Sequence, residues 1–324
     1  MRLNCRKSVP LNASEENRRP VVGLVSPGEM GVSLAALLAE QGFPVVTTLD
    51  GRGSRTLQRC NRAGLRVLHT SDDVVAASEI FISLVPPNAA VDVAEAYCRA
   101  AASLDCPPLF VEANSVSPAT VRRIQRRVED CGGSLVDASI HGLAGRLREQ
   151  GTLFLSGPEA CDLAAILTGV LRVEVLDERC GTASLFKMLL GGVSKSLVGL
   201  FVEMGLTAAE ADLLEPFLKT CREYYPGLMD IIDRLLPTLP RHARRRAAEM
   251  EELQCTVHAL RLPLGIAAEI QRLYHVLGDS PLPEYAEHID SGSATIAELL
   301  ELIRTVVPLN PAAAEEGSAA AACK

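Results

Sequence analysis

The chain has 324 residues, 48% of them hydrophobic and 22% charged, which fits a folded protein of two domains rather than a disordered or fibrous one. Its 32 basic and 40 acidic side chains give a net charge of -8. This balance argues against nucleic acid as the main partner, because phosphate binding needs a basic surface. Aromatic residues make up only 4% of the chain, so recognition by stacking on bases is also disfavoured.

The ten cysteines are scattered, without a C-x-x-C pair or a histidine at metal-ligand spacing, so we expect free thiols and no metal site. The N-terminal residues lack the apolar stretch of a secretory signal, and we therefore expect a cytoplasmic protein. The most membrane-like stretch, residues 185–209, carries Lys187, Lys195 and Glu203, which would be costly in lipid. We expect a buried helix there and no membrane partner.

In chain order, the apolar periodicity predicts a strand from Val21, the turn SPGEMG, and a helix that ends at Gly42. Further strands, separated in several places by helical segments, are predicted at Pro44 to Leu49, Arg66 to Leu68, Ile80 to Val85, Leu109 to Glu112, Ser134 to Asp137, Thr152 to Ser156 and Leu171 to Leu176. This alternation is typical of an α/β domain with a mostly parallel sheet.

After Asp177 the strand pattern ends, and helical patterns continue to about Val307. The sequence therefore predicts an α/β Rossmann-type domain followed by an all-α domain, joined through a long interdomain helix. The predicted segments are a flexible N-terminal segment (1–20), a dinucleotide-binding domain (21–180), a helical substrate and dimerisation domain (181–308) and a disordered tail (309–324).

The turn between the first strand and helix is a candidate phosphate-binding turn of the G-x-G-x-x-G type. Gly28 would let the backbone approach a pyrophosphate, Gly31 would bring the helix close to the strand, and free N–H groups at the helix start would bind the anion. Ser26 replaces the first glycine, and Pro27 restrains it to an extended conformation that can preserve the turn. An ordinary strand-to-helix turn is the alternative. The candidate cofactor contacts in this turn are Ser26, Pro27, Gly28, Glu29, Met30 and Gly31.

The segment LDGRGSRT after the second strand carries signals for both NAD and NADP. Asp50 lies 19 residues after Gly31, where an acidic side chain would bind the ribose 2′-hydroxyl of NAD. Arg52, Ser54 and Arg55 offer donors that suit the 2′-phosphate of NADP. We favour NADP as the cofactor, and NAD is the alternative. A third possibility is that the arginines lie in a solvated loop and have no role in binding.

Several motifs together resemble the β-hydroxyacid dehydrogenase superfamily, specifically its 6-phosphogluconate dehydrogenase-like branch with an uncharacterised helical C-terminal domain. They occur in the family's order over roughly Val21 to Val307, and the order makes the resemblance specific. The matching segments are GLVSPGEMG, ISLVPP, VEANSVSPAT, VDASIHG, GTLFLSGP, ASLFKMLLGG and RRAAEMEEL.

The resemblance implies a role for particular residues. It places Val85 and Pro86 beside the nicotinamide ribose, and Asn114 and Ser115 near the nicotinamide. VDASIHG occupies the place of the family's substrate loop, which makes Ser139, His141 and Gly142 candidate substrate contacts. The family's catalytic lysine falls on Lys187, and its helical second domain implies a homodimer.

The sequence also departs from the family pattern. Gly191 stands where the family has Asn one helical turn after the lysine, and Leu190 stands where the phosphogluconate enzymes have His. His141 replaces the substrate-loop Ser, and Leu143 replaces its last Gly. True 6-phosphogluconate dehydrogenase activity is therefore not expected.

Lys187 also stands out without the resemblance, because it interrupts the apolar helix segment LFKMLL. Burial would disfavour its charged form and suit it to general acid or base chemistry, although long lysine stems also reach solvent from such helices. His141 is the second candidate for proton transfer, and the alternative for it is an ordinary surface histidine.

Four further residues are candidates for substrate binding. Lys195 follows Lys187 by eight residues on nearly the same helix face, where it would bind an anionic group or be solvated. Arg245 and Glu249 are spaced i, i+4 on a predicted helix, which indicates either a salt-bridged surface or a site in which an arginine binds carboxylate or phosphate. Gly191 completes the set by its place beside Lys187.

The sequence thus predicts an NADP-dependent oxidoreductase that transfers a hydride between the nicotinamide and a small hydroxy acid or keto acid, with Lys187 as general acid or base. Two alternatives remain. One is an imine reductase on the same fold, and the other is a catalytically silent dinucleotide-binding dimer that acts as a sensor or scaffold.

Overall fold

The computed structural model describes residues 18–25, 27–49, 53–262, 265–285 and 294–308. Most of the predicted N-terminal segment and the whole predicted tail lie outside these residues, as do Ser26, Asp50, Arg52 and the side chain of Arg55. The chain divides into two compact units, Met1–Met188 and Leu189–Lys324, and each is treated by itself.

The first unit is built on one eight-stranded sheet in the order β3-β2-β1-β4-β5-β6-β7-β8. Adjacent strands are parallel except β6 and β7, which are antiparallel. The strands are β1 (Val22–Val25), β2 (Val45–Thr48), β3 (Arg66–Leu68), β4 (Ile80–Ser83), β5 (Leu109–Glu112), β6 (Leu135–His141), β7 (Thr152–Ser156) and β8 (Arg172–Asp177). All eight predicted strands are present, and the Rossmann-type α/β class is confirmed.

Helices alternate with these strands and cover the sheet. They are α1 (Glu29–Glu40), α2 (Ser54–Arg62), α3 (Ser71–Ala77), α4 (Ala90–Ala101), α5 (Pro118–Asp130), α6 (Leu147–Gln150) and α7 (Ala160–Ile166). Successive residues of one strand enter different core clusters: Ile80 and Ile82 pack in one and Phe81 in the other. The central strands are therefore buried on both faces, which is why they are nearly continuous apolar runs.

Strand β6 is longer than the sequence predicts, because it continues past Asp137 through the segment that resembles a substrate loop. Antiparallel pairing with β7, from Asp137 opposite Ser156 to His141 opposite Thr152, holds this extension in the sheet. Ser139 is buried and His141 is exposed at the strand end.

The second unit is helical. Helix α8 (Thr182–Glu210) begins in the first unit and continues into the second, where it is followed by α9 (Leu214–Tyr224), α10 (Pro226–Leu235), α11 (Leu239–Ala259), α12 (Ile266–Asp279), α13 (Leu282–Tyr285) and α14 (Ile296–Val306). Glycines let other helices approach α8 closely. A Cβ atom at Gly192 would lie 2.5 Å from Leu253 of α11, and one at Gly205 would lie 2.6 Å from Leu300 of α14.

Helix α8 is long and apolar enough to cross a membrane by length and composition. Its glycines, however, pack against α11 and α14, and the Lys195 ammonium lies 3.0 Å from the Glu249 carboxylate of α11. These contacts bury one face of α8 in the helical bundle, but only 28% of its most apolar window is buried, so the fully buried helix that the sequence predicts is not observed.

Candidate functional site

The turn before α1 has the features of a phosphate-binding turn. Gly28 is exposed at the start of α1, and a Cβ atom there would meet nothing within 4 Å. No side chain among the described residues caps this helix, so the N–H groups of its first turn face outward without a side-chain acceptor. A Cβ atom at Gly31 would lie 3.0 Å from Cβ of Pro27, which explains the need for glycine at this close approach. These residues fit a pyrophosphate group.

The position that distinguishes NAD from NADP falls largely outside the described residues, because Asp50, Arg52 and the Arg55 side chain are not among them. Ser54 is exposed as the first residue of α2. At the end of β2, Thr48 is buried and its Oγ1 atom has no hydrogen-bond partner among the described residues.

A row of buried polar residues crosses four neighbouring strands at the level where β4 and β5 end. Ser83 of β4 is opposite Glu112 of β5, Glu112 is opposite Asp137 of β6, and Asp137 is opposite Ser156 of β7. All four are fully buried at 0% exposure, in a region where the remaining strand residues are mostly apolar. Ligands of open α/β sheets bind beyond these carboxyl ends, so the row lies at the functional edge of the sheet.

Asp137 fixes the start of helix α8. Its carboxylate accepts hydrogen bonds from Gly181 N at 2.9 Å, Ser184 N at 3.0 Å, Ser184 Oγ at 2.6 Å and Ser156 Oγ at 3.0 Å. Ser156 Oγ in turn accepts the N–H of Ala183 at 3.0 Å. Burial raises the pKa of Asp137, while these hydrogen bonds act to lower it. The carboxylate thus satisfies the N–H groups that a helix leaves unpaired at its start.

Glu112 is the residue that the sequence analysis missed. Its Oε1 atom accepts the N–H of Asn114 at 3.0 Å, and its Oε2 atom accepts no hydrogen bond from the described residues. Burial raises the pKa of Glu112 to about 8 against the lowering effect of the Asn114 hydrogen bonds, with smaller effects of Asp137, which raises it, and Lys187, which lowers it. The available signal was the acidic residue that ends the apolar strand LFVE.

Asn114 connects the loops that follow β4 and β5. Its Oδ1 atom accepts the N–H of Val85 at 2.6 Å, and its Nδ2 atom donates to Ser83 Oγ at 2.8 Å. Asn114 is buried, whereas Val85 and Ser115 are half-buried and Pro86 is exposed. The predicted nicotinamide contacts after the two strands are therefore held together by the Asn114 amide.

Lys187 is half-buried on α8, and its positive charge acts to lower the pKa of Glu112. Ser139 lies two residues after Asp137 and on the same face of β6, and its buried Oγ atom has no hydrogen-bond partner among the described residues. His141 and Gly142 are exposed at the end of β6, and Gly142 has φ +132°, which favours glycine.

In the second unit, three predicted substrate residues are neighbours. Lys195 Nζ lies 3.0 Å from Glu249 Oε2, and Arg245 Nε lies 3.7 Å from Glu249 Oε1. The side chains of Lys195 and Glu249 are only 17% and 20% exposed, so Lys195 is paired rather than solvated. A Cβ atom at Gly191 would lie 2.7 Å from Lys195 Nζ, so glycine provides the space that this ammonium occupies.

Comparisons with known proteins identify two matching domains and a relative of similar length. Residues 21–167 match the NAD binding domain of 6-phosphogluconate dehydrogenase, and residues 208–277 match a domain of unknown function, DUF1932. The chain is 26% identical over 234 residues to an uncharacterized 28.5 kDa protein of Methanothermus fervidus, covering 72% of this chain and 89% of that protein.

Three solved structures are similar over most of the chain. A conserved protein of unknown function, described as similar to 3-hydroxyacid dehydrogenases, is 30% identical with a TM-score of 0.62, covering 85% of this chain and all of that one. A 3-hydroxyisobutyrate dehydrogenase of Mycobacterium tuberculosis, solved with L-serine, is 15% identical with a TM-score of 0.65 and coverages of 89% and 100%. An imine reductase of Myxococcus stipitatus with NADP+ is 18% identical with a TM-score of 0.55 and coverages of 88% and 100%.

The fold, the matching NAD-binding domain and the 30% identical relative define an NAD(P)-dependent oxidoreductase similar to 3-hydroxyacid dehydrogenases, with a nicotinamide dinucleotide as its cofactor. The chain belongs to the β-hydroxyacid dehydrogenase family, and it carries that family's NAD-binding domain followed by the helical DUF1932 domain. The resemblance described from the sequence is confirmed.

Proposed function

We propose that this protein is an NADP-dependent oxidoreductase that transfers a hydride between the nicotinamide and a small hydroxy acid or keto acid, with Lys187 as general acid and base. The observation that carries the proposal is the position of Lys187. Its helix is anchored at its start by Asp137, and its positive charge acts on Glu112, which ends β5 at the edge where dinucleotides bind in this fold.

The nicotinamide supplies the hydride chemistry when the cofactor is bound. The first turn of α1, residues 28–31, binds the pyrophosphate through its N–H groups, and Arg52, Ser54 and Arg55 bind the 2′-phosphate. Lys187 Nζ takes the hydroxyl proton of the substrate during oxidation and returns it during reduction. His141, exposed at the end of β6, donates a hydrogen bond to the substrate.

The substrate is proposed to carry an anionic group. Ser139 and Gly142 of the first unit are proposed substrate contacts together with His141. In the second unit, the proposed contacts are Gly191, Lys195, Arg245 and Glu249, a group with two cations and one anion that retains an attraction for a carboxylate.

The test is the variant Lys187→Met, which removes the ammonium and keeps the length of the side chain. We expect turnover to fall by at least about 100-fold, as for loss of a general acid or base, while the dissociation constant for NADPH stays within about twofold. Lys219→Met is the matched control, because Lys219 is exposed on α9. Unchanged turnover in Lys187→Met would refute the proposed mechanism.

Imine reduction is a second candidate, supported by the similarity of fold to imine reductases and by Leu190 and Gly191, which reduce the polarity around α8 after Lys187. A cyclic imine and a keto acid, each offered with NADPH, distinguish the two reactions. Binding of NADPH without turnover of any substrate would instead support the silent dinucleotide-binding dimer.

We also propose a homodimer. Helix α8 exposes an apolar stripe of Leu189, Val193, Leu200 and Met204, which are 40–62% exposed. Light scattering after gel filtration is expected to give twice the chain mass of 34.6 kDa, and Val193→Glu is expected to give a monomer. A monomeric wild-type protein would contradict this assignment.

A further inference from the structure

Two cysteines of the first unit lie at the same ends of two neighbouring helices, α4 and α5. Cys98 is in the last turn of α4, and Cys131 is the residue that follows α5. Both side chains are half-buried thiols that pack against the same hydrophobic cluster, which contains Tyr97 and Phe110. The hydride transfer proposed above uses neither thiol.

Contacts between α4 and α5 show that the two cysteines are opposite each other. One turn before them, Arg127 Nη2 of α5 lies 3.8 Å from Glu95 Oε1 of α4. Cys98 Sγ donates a hydrogen bond across to α5, to Arg127 O at 3.2 Å. Cys131 Sγ donates to the next carbonyl oxygen of that helix, Val128 O, at 3.1 Å. The two sulfur atoms therefore bind consecutive carbonyl groups at one helix end.

The Cys98 and Cys131 thiols also interact with each other. Burial and a hydrogen bond with Cys131 raise the pKa of Cys98 to about 12, and the nearby Arg127 charge acts against this rise. Because only a thiolate attacks an oxidant readily, Cys98 is a poor first nucleophile at neutral pH. Cys131 is therefore the thiol that meets an oxidant first, and Cys98 is placed to react with the product.

We propose that Cys98 and Cys131 form a reversible disulfide in response to a peroxide. The Cys131 sulfur attacks one oxygen of hydrogen peroxide, the O–O bond breaks, and the thiol proton leaves with the other oxygen as water. The Cys98 sulfur then attacks the sulfenic acid formed on Cys131. The S–S bond forms while the S–O bond breaks, and the hydroxyl group takes the Cys98 proton to give a second water. Peroxide gains the two electrons that the thiols lose, and an added dithiol reverses the reaction.

The disulfide joins two helices whose preceding loops are already linked. Helices α4 and α5 follow the loops after β4 and β5, which the Asn114 amide joins through its 2.6 Å hydrogen bond from Val85 N. The new bond closes a loop of residues 98–131, and this cross-link removes conformations from the unfolded chain. A loop of this length predicts a rise in Tm of roughly 5–10 °C on oxidation.

The experiment oxidises the whole chain with a small excess of hydrogen peroxide and blocks the remaining thiols with N-ethylmaleimide. The tryptic peptides are then mapped by mass spectrometry without reduction. Cleavage after arginines places Cys98, Cys106 and Cys131 on three separate peptides. We expect the peptides of Cys98 and Cys131 to be linked, and dithiothreitol to separate them. Calorimetry of the oxidised and the reduced chain measures the change in Tm.

Cys98→Ser and Cys131→Ser should each lose both the link and the rise in Tm on oxidation. Cys161→Ser is the matched control, because Cys161 is exposed on α7, and it should keep both. Each variant is compared with its own reduced form, so a change in the stability of the reduced variant does not affect the result. A link from Cys106 to either cysteine, oxidation of the chain without a link between Cys98 and Cys131, or a rise in Tm that persists in Cys98→Ser would overturn the proposal.

Discussion

The pH dependence of stability in Glu112→Gln tests the burial of this carboxyl group directly. The folded state raises the pKa of Glu112 from 4.5 to about 8, so the folded chain binds more protons than the unfolded chain between these values. The stability that protonated Glu112 contributes is therefore complete below pH 4.5 and is lost as the pH rises through about 8. The Gln side chain of Glu112→Gln cannot ionise, so the variant does not lose stability from this position as the pH rises.

The magnitude follows from proton linkage. Between about pH 6 and pH 9, a group with a folded pKa of about 8 and an unfolded value of 4.5 lowers the free energy of unfolding by about 2.7 kcal/mol. For the first unit of the wild-type protein this corresponds to a fall of roughly 5–10 °C in Tm between the two pH values. Changes in Tm that wild type and Glu112→Gln have in common come in addition to this fall.

Calorimetry of wild type and Glu112→Gln at both pH values isolates the effect, because the contributions of all other groups cancel in the difference between the two proteins. The Tm advantage of the variant should grow from the lower to the higher pH. The surface variant Glu79→Gln should show no such growth. A difference between wild type and Glu112→Gln that is the same at both pH values would refute the argument from burial.

Two further predictions concern packing around helix α8. Asp137→Ala removes the acceptor of four hydrogen bonds and leaves buried N–H groups unpaired, so we expect the free energy of unfolding to fall by about 3–5 kcal/mol. The control Asp130→Ala, at an exposed residue, should change it by about zero. Equal effects of the two variants in calorimetry would contradict the anchoring role of Asp137. Gly192→Ala should lower the free energy of unfolding by about 1–3 kcal/mol, because its Cβ atom would lie 2.5 Å from the Leu253 side chain. The control Gly191→Ala should be neutral or stabilising, because its Cβ atom meets only the movable end of the Lys195 side chain. Equal shifts in Tm for the two variants would contradict this packing.

The strands were predictable because parallel strands buried on both faces leave short, nearly continuous apolar runs such as IFIS and LFVE. The candidate phosphate-binding turn could be proposed from the sequence because its glycines are local to one strand and helix. In contrast, the extension of β6 depends on pairing with β7, which lies beyond an intervening turn and helix. Local patterns contain no information on that pairing.

The polar row was not predictable for the same reason. Glu112 and Asp137 are 25 residues apart in sequence, and only the register of β5 and β6 makes them neighbours. Likewise, Lys195 could be read as solvated because its partner, Glu249, is on another helix. The sequence therefore indicates which residues are candidates for the site. Which side chains pair with one another depends on the packing of elements that are distant in the sequence.

A fluorescence titration of the protein with NADPH and, in parallel, NADH decides whether the chain binds a dinucleotide and which one it prefers. The proposed 2′-phosphate contacts of Arg52, Ser54 and Arg55 predict saturable binding of NADPH that is at least about tenfold tighter than that of NADH. Tighter binding of NADH would instead assign Asp50 to the ribose 2′-hydroxyl and contradict the NADP preference. Absence of binding for both would contradict the account of this protein as a dinucleotide-dependent oxidoreductase.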